Sequence, residues 1–168
     1  MKKLFVLALS MFSVTICLAQ RVTYEDLKYV LTHNVAQTED YLSNKGFDFS
    51  KIDTIVGKEN IALSYNFDKN SHYSIHFVGI SKEGINNIFY NASAITNAKS
   101  DYMFLKSSIK KYGFVFISTE TRTGNLIINY MKGTLLFSFW IKKNQETEVT
   151  TYYISLTDET QEKLAMGF

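Results

Sequence analysis

The sequence predicts an α+β fold: a tandem duplication of a helix followed by a four-stranded antiparallel sheet, closed by a short C-terminal helix. Three observations predict it. Two stretches, Leu27–Phe49 and Ala94–Phe116, each carry a helical stripe that ends in a Gly-Phe-x-Phe tetrad. Behind each tetrad come short alternating segments divided by turn residues. The two glycines, Gly46 and Gly113, stand 67 residues apart, and the segments recur in the same order.

The stripes are read by counting back from each glycine. Offsets of 4, 8, 11, 15 and 19 fall on Leu42, Thr38, Val35, Leu31 and Leu27 in the first copy. In the second they fall on Ile109, Leu105, Tyr102, Ala98 and Ala94. Steps of three and four are the helical period. A glycine just past such a stripe suits a left-handed C-cap, where a Cβ would clash.

Taken in order, Thr23 is the expected cap of a first helix that runs to about Lys45, with Glu25 and Asp26 in its first turn. Asp53–Val56 continues an irregular strand begun at Phe49. Ile61–Phe67 alternates, Asp68–Ser71 reads as a four-residue loop, and His72–Ile80 is the next strand, with Tyr73, Ile75 and Phe77 inward. Ser81–Gly84 turns the chain into a fourth strand, Ile85–Asn91. Ser93 or Asn97 caps the second helix. Strands Phe114–Thr119, Asn125–Met131, Thr134–Lys142 and Glu146–Leu156 complete the second unit. Lys132-Gly133 is its sharpest hairpin signal, and Phe137 and Phe139 point inward with Leu135 and Ile141. Asp158–Gln161 resembles a capping box that opens the terminal helix. The repeats span about 23–91 and 93–157, and Leu63-Ser64-Tyr65 is matched with Ile128-Asn129-Tyr130.

Residues 1–19 form an expected secretory signal peptide: Met1-Lys2-Lys3, an apolar run to Leu18, and small residues before a cut after Ala19. Ile16 before Cys17 argues against a lipoprotein signal. The chain has 18 basic and 16 acidic residues, and loss of Lys2 and Lys3 leaves the two signs equal. Such a balance gives no reason to expect nucleic acid or an anionic membrane as partner. Cys17, the one cysteine, leaves with the signal. A periplasmic or secreted chain of one compact domain, 20–168, must then fold without a disulfide and without stable membrane insertion.

Catalytic chemistry is hard to place. The mature chain offers no thiol, no glycine-rich phosphate loop and no Gly-x-Ser-x-Gly turn. His72 and His76 have a metal-like spacing, but on a strand they stand about 13 Å apart, so no metal and no cofactor is expected. If Ile75, Phe77, Phe139 and Ile154 face the helices, then Trp140, Tyr153, His72, His76 and Met131 share the outer face. Large amphipathic side chains with few charges are what partner surfaces use. The expected function is therefore non-catalytic: a protein-binding or inhibitory module acting through the outer sheet face. The alternative is a carrier of a small apolar ligand or lipid in a cavity between helices and sheet.

A helix packed on a four-stranded antiparallel sheet, doubled in a secreted chain, resembles the architecture of the β-lactamase inhibitor protein family. PepSY-type secreted domains are similar in their helix-then-strands order. The resemblance spans most of the mature chain and is topological, and it implies a protein partner in the cell envelope or outside the cell. The inhibitor family's disulfides are absent here, so it assigns no site residue.

Overall fold

The computed structural model describes residues 21–56, 61–70, 73–82 and 85–166. The expected signal peptide, residues 1–19, and His72 lie outside the described residues. The chain runs α1 (Tyr24–Thr32), α2 (Val35–Asn44), β1 (Asp48–Val56), β2 (Ile61–Asn70), β3 (Tyr73–Lys82), β4 (Ile85–Thr96), α3 (Lys99–Lys111), β5 (Val115–Arg122), β6 (Asn125–Lys132), β7 (Leu135–Lys143), β8 (Thr150–Asp158) and α4 (Glu159–Met166).

The expected four-stranded sheet in each unit is overturned. All eight strands form one antiparallel sheet in the order β1-β2-β3-β4-β8-β7-β6-β5. The seam is β4 against β8, from Asn91 opposite Thr157 to Thr96 opposite Tyr152. Joining them removes two strand edges whose N–H and C=O groups would otherwise be unpaired. It also aligns Ala92 and Ala94 with Leu156 and Ile154 on one buried face. Alternation within a strand reveals its buried face and says nothing about which distant strand it pairs with, so the seam has no local signature.

Helices α1, α2 and α3 supply the cover. Leu27, Val30 and Leu31 of α1, Leu42 of α2, and Leu105 and Ile109 of α3 form one core with Phe67, Ile75, Phe77, Phe137, Phe139, Ile154 and Leu156 of the sheet. Helix α1 lies over β4 and β8 and touches α3, α2 rests on β1, and α4 packs on β4 and β8. Aromatic rings knit this layer, with Tyr65 stacked on Phe77 at 5.0 Å and Tyr102 on Tyr152 at 4.7 Å.

The long first helix is two helices. His33 leaves helical geometry, and Asn34 opens α2 with a reciprocal capping box to Gln37. Gln37 N donates to Asn34 Oδ1 at 2.9 Å, and Asn34 N to Gln37 Oε1 at 3.2 Å. An Asn-x-x-Gln start overrides a continuous stripe because it satisfies two orphan donors at once. The break is braced by Tyr29, which stacks on His33 at 3.6 Å and on Tyr41 at 4.1 Å. Beneath the rings lies the buried Asp26, whose carboxylate accepts from Thr23 N at 2.7 Å, from Tyr41 Oη and from Lys45 Nζ.

Helix α3 starts later than its stripe suggests. Ala94 belongs to β4, and Ala98 is the cap; Thr96 Oγ1, rather than Ser93 or Asn97, accepts from Ala98 N at 3.0 Å. The two glycine stops share one geometry. Gly46 and Gly113 have φ of +77° and +84°. Phe47 N reaches Leu42 O at 3.0 Å and Phe114 N reaches Ile109 O at 3.3 Å, the long bond of a Schellman cap. A lysine then closes each stop from the neighbouring strand: Lys69 Nζ donates to Lys45 O, and Lys132 Nζ to Tyr112 O, both at 2.7 Å.

Turn positions also move. Strand β2 continues through Asp68–Asn70, so those residues are not loop. The β6–β7 hairpin turns on Gly133-Thr134, flanked by the pair Lys132 and Leu135. The last strand begins at Thr150, because Asn144 Oδ1 ties Glu146 and Thr147 into the preceding turn. Asp158 Oδ1 accepts from Thr160 N at 3.0 Å and Gln161 N at 3.3 Å to open α4. No helix among the described residues is long and apolar enough to cross a membrane.

Candidate binding face

Alternation dictates what the other face of the sheet carries. Where Phe77, Phe139 and Ile154 point to the helices, His76, Ser138, Trp140, Tyr153 and Ser155 point away. The register then lines up one row across all eight strands: Lys51, Asn66, His76, Ser93, Ser155, Ser138, Asn129 and Ser118. Every member is polar, and seven strand spacings make the row about 34 Å long. Asn66 and Asn129 occupy equivalent places in the two halves, as do Ser93 and Ser155 at the seam. The equivalence of Tyr65 with Tyr130 expected from sequence is therefore displaced: the row sets Asn66, not Ser64, opposite Asn129 in the comparison of halves.

Hydrogen bonds tie parts of the row together. Ser138 Oγ donates to Asn129 Oδ1 at 2.6 Å, and Asn129 Nδ2 donates to Ser118 Oγ at 3.0 Å. In the other half His76 Nδ1 meets Asn66 Oδ1, and Ser74 Oγ lies 2.9 Å from His76 Nε2. Asn66 is buried, and its Nδ2 has no partner among the described residues.

At the seam the row dips into a hollow of about 430 Å³, lined by Asn91, Ser93, Asn125, Trp140, Lys142, Tyr153 and Ser155. Small serines form its floor, and the indole and phenol form a wall. Trp140 and Tyr153 are register partners on β7 and β8, and they remain 36% and 38% exposed, high for rings of that size on a sheet. Asn91 Nδ2 donates to Thr157 Oγ1 at 2.8 Å, which fixes its amide at the rim.

Of the five side chains singled out in the sequence, the structure brings Trp140 and Tyr153 together. His76 stands one strand beyond the hollow, on β3, where its carbonyl accepts from Ser93 Oγ at 3.4 Å. Met131 is half-buried near the far end of β6, paired with Leu136 and away from the hollow. His72 is outside the described residues. Asn91, Ser93, Asn125, Lys142 and Ser155 were not singled out. Alternation alone puts Lys142 two places from Trp140, Ser155 two from Tyr153 and Asn125 four from Asn129, so these three were available from parity. Asn91 and Ser93 needed the β4–β8 pairing. Among the described residues no group of three or more His, Cys, Asp or Glu side chains is placed to hold a metal ion.

His76 is the histidine of the row. Burial pushes its pKa below the ordinary histidine value; Lys51 acts in the same direction, while Asp68 and Asp53 oppose it. A histidine near 6.5 when unfolded and lower when folded leaves the native state unprotonated while the unfolded chain takes up a proton. Stability is therefore full above about pH 6.5 and declines as pH falls from there toward the folded pKa. Urea midpoints measured from pH 7.5 to 5.5 should fall less in His76→Gln than in the wild type. Parallel slopes would remove His76 as the cause.

Comparison with protein-family models, with curated proteins and with solved structures returned no match to this chain.

Proposed function

We propose that the protein is a non-catalytic protein-binding module of the periplasm or the cell exterior, acting through the outer face of its sheet. The observation that carries this reading is the exposed Trp140–Tyr153 pair beside the serine and asparagine side chains that line the same hollow. Rigid aromatic anchors amid adaptable Ser and Asn donors are the composition of antibody combining sites. The anchors sit on β8, a seam strand, and on β7 beside it, both of which have a paired neighbour on each side.

A carrier of apolar ligands finds less support. The layer between helices and sheet is filled by Phe67, Phe77, Phe137 and Phe139, all fully buried, with Phe67 and Phe77 stacked at 5.8 Å.

The test is affinity capture. The chain from Gln20 to Phe168 and its Trp140→Ala variant serve as baits in the native envelope extract. Truncating the indole should weaken binding of a captured protein by about 2 kcal/mol or more, with an unchanged melting profile. Equal capture by both baits would remove the outer face from consideration.

A further inference from the structure

Charge is distributed unevenly on the outer face. Trp140 and Lys142 are two places apart on β7, so their side chains leave the sheet on the same side. The hollow they share has one charged lining residue, Lys142. Arg122 lies on the same row, opposite Asn125, which also lines the hollow. Two strand spacings separate the two cations, about 10 Å. Both are exposed, and neither has an ion-pair partner among the described residues; Lys143, the next lysine along, pairs with Glu148 instead. Glu120 is the one carboxylate close by on that face, and its Oε1 accepts from Asn129 Nδ2 at 3.4 Å.

An aromatic wall, two amides and two cations about 10 Å apart, with Glu120 as a nearby carboxylate, form a patch of net positive charge in a chain of 18 basic and 16 acidic residues. We infer that the partner presents an acidic segment in extended conformation, with carboxylates two or four residues apart so that both face the sheet, received by Lys142 and Arg122 while a neighbouring side chain packs on Trp140. The polar row beyond the hollow, from Ser155 through Ser138 to Asn129, offers hydroxyl and amide groups to the segment's backbone. This inference rests on the reading of the outer face as the binding face.

Trp140 is the sole tryptophan, so its emission reports on the hollow alone. The full mature chain is titrated with poly-L-glutamate, poly-L-lysine and polygalacturonate at low and at physiological salt. The expected result is a saturable change in emission with poly-L-glutamate only. It should weaken at least tenfold in the Lys142→Gln, Arg122→Gln double variant and also with added salt. No change with poly-L-glutamate, an equal response from the double variant, or tighter binding of polygalacturonate would overturn it. The capture experiment separates the two levels. A protein lost by Trp140→Ala but held fully by the double variant keeps the binding face and overturns the acidic segment. A protein held by all three baits overturns both.

Discussion

Asp26→Ala should lower the unfolding free energy by about 3–5 kcal/mol, the range for removing one member of a buried, hydrogen-bonded charge pair. The carboxylate is 1% exposed as a residue and serves three donors. Thr23 N reaches Oδ2 at 2.7 Å, closing the capping box of α1, while Tyr41 Oη and Lys45 Nζ both reach Oδ1 from α2 and its end. Alanine removes the acceptor and deprives a phenol and an ammonium, both partly buried, of their shared carboxylate partner. Burial raises the Tyr41 pKa first and the Asp26 hydrogen bond raises it further, so the phenol is held as a donor. Asp26→Asn keeps the volume and one oxygen but cannot balance the Lys45 charge, and should fall between wild type and alanine. Chemical denaturation followed by circular dichroism measures this directly. A loss under about 1 kcal/mol would mean that the two helices are held by the Tyr29–Tyr41 stack and not by the carboxylate.

Phe139→Ala should cost a similar amount, about 3–5 kcal/mol, by a different route. The ring is fully buried and meets Tyr102 of α3 at 5.4 Å, Tyr130 of β6 at 6.0 Å and Phe137 at 5.1 Å. Its register partner across β8 is the fully buried Ile154. Truncation opens a cavity bounded by a helix and three strands, and the strands are held in place by their ladder hydrogen bonds. The next residue makes the contrast. Trp140→Ala removes a larger side chain from the opposite face and should cost far less stability, because that ring is exposed. A urea titration of both variants, with the m-value held constant, tests the assignment of faces. Equal losses would overturn it.

How much of this was legible in the sequence depends on range. The Schellman stops at Gly46 and Gly113 were legible, because a stripe of period 3.6 ending at glycine has one common structural solution. The inward residues of β3 and β7 were legible from parity. The break at His33-Asn34 was present in the text as Asn-x-x-Gln but was masked by a stripe that continues through it. The extension of β4 to Thr96 was hidden because Ala94 fits a helix or a strand equally well. For the binding face, parity separated Trp140 and Tyr153 from the core residues beside them. It could not place Met131 away from them or bring Asn91 and Ser93 to them. Those facts depend on register across non-neighbouring strands, which no window of sequence encodes.

The strand order has a consequence for folding speed. Six of the seven strand pairings join consecutive segments through short connections and can form locally. Only β4 with β8 joins residues 56 to 66 positions apart, from Thr96–Tyr152 to Asn91–Thr157. The entropy cost of closing a long loop therefore arises once, at the middle of the sheet, and grows only with the logarithm of loop length. A chain half of whose residues lie in strands would ordinarily be a slow folder. Here the one long-range pairing is the docking of two meanders along six residue pairs, at the same seam that shapes the hollow.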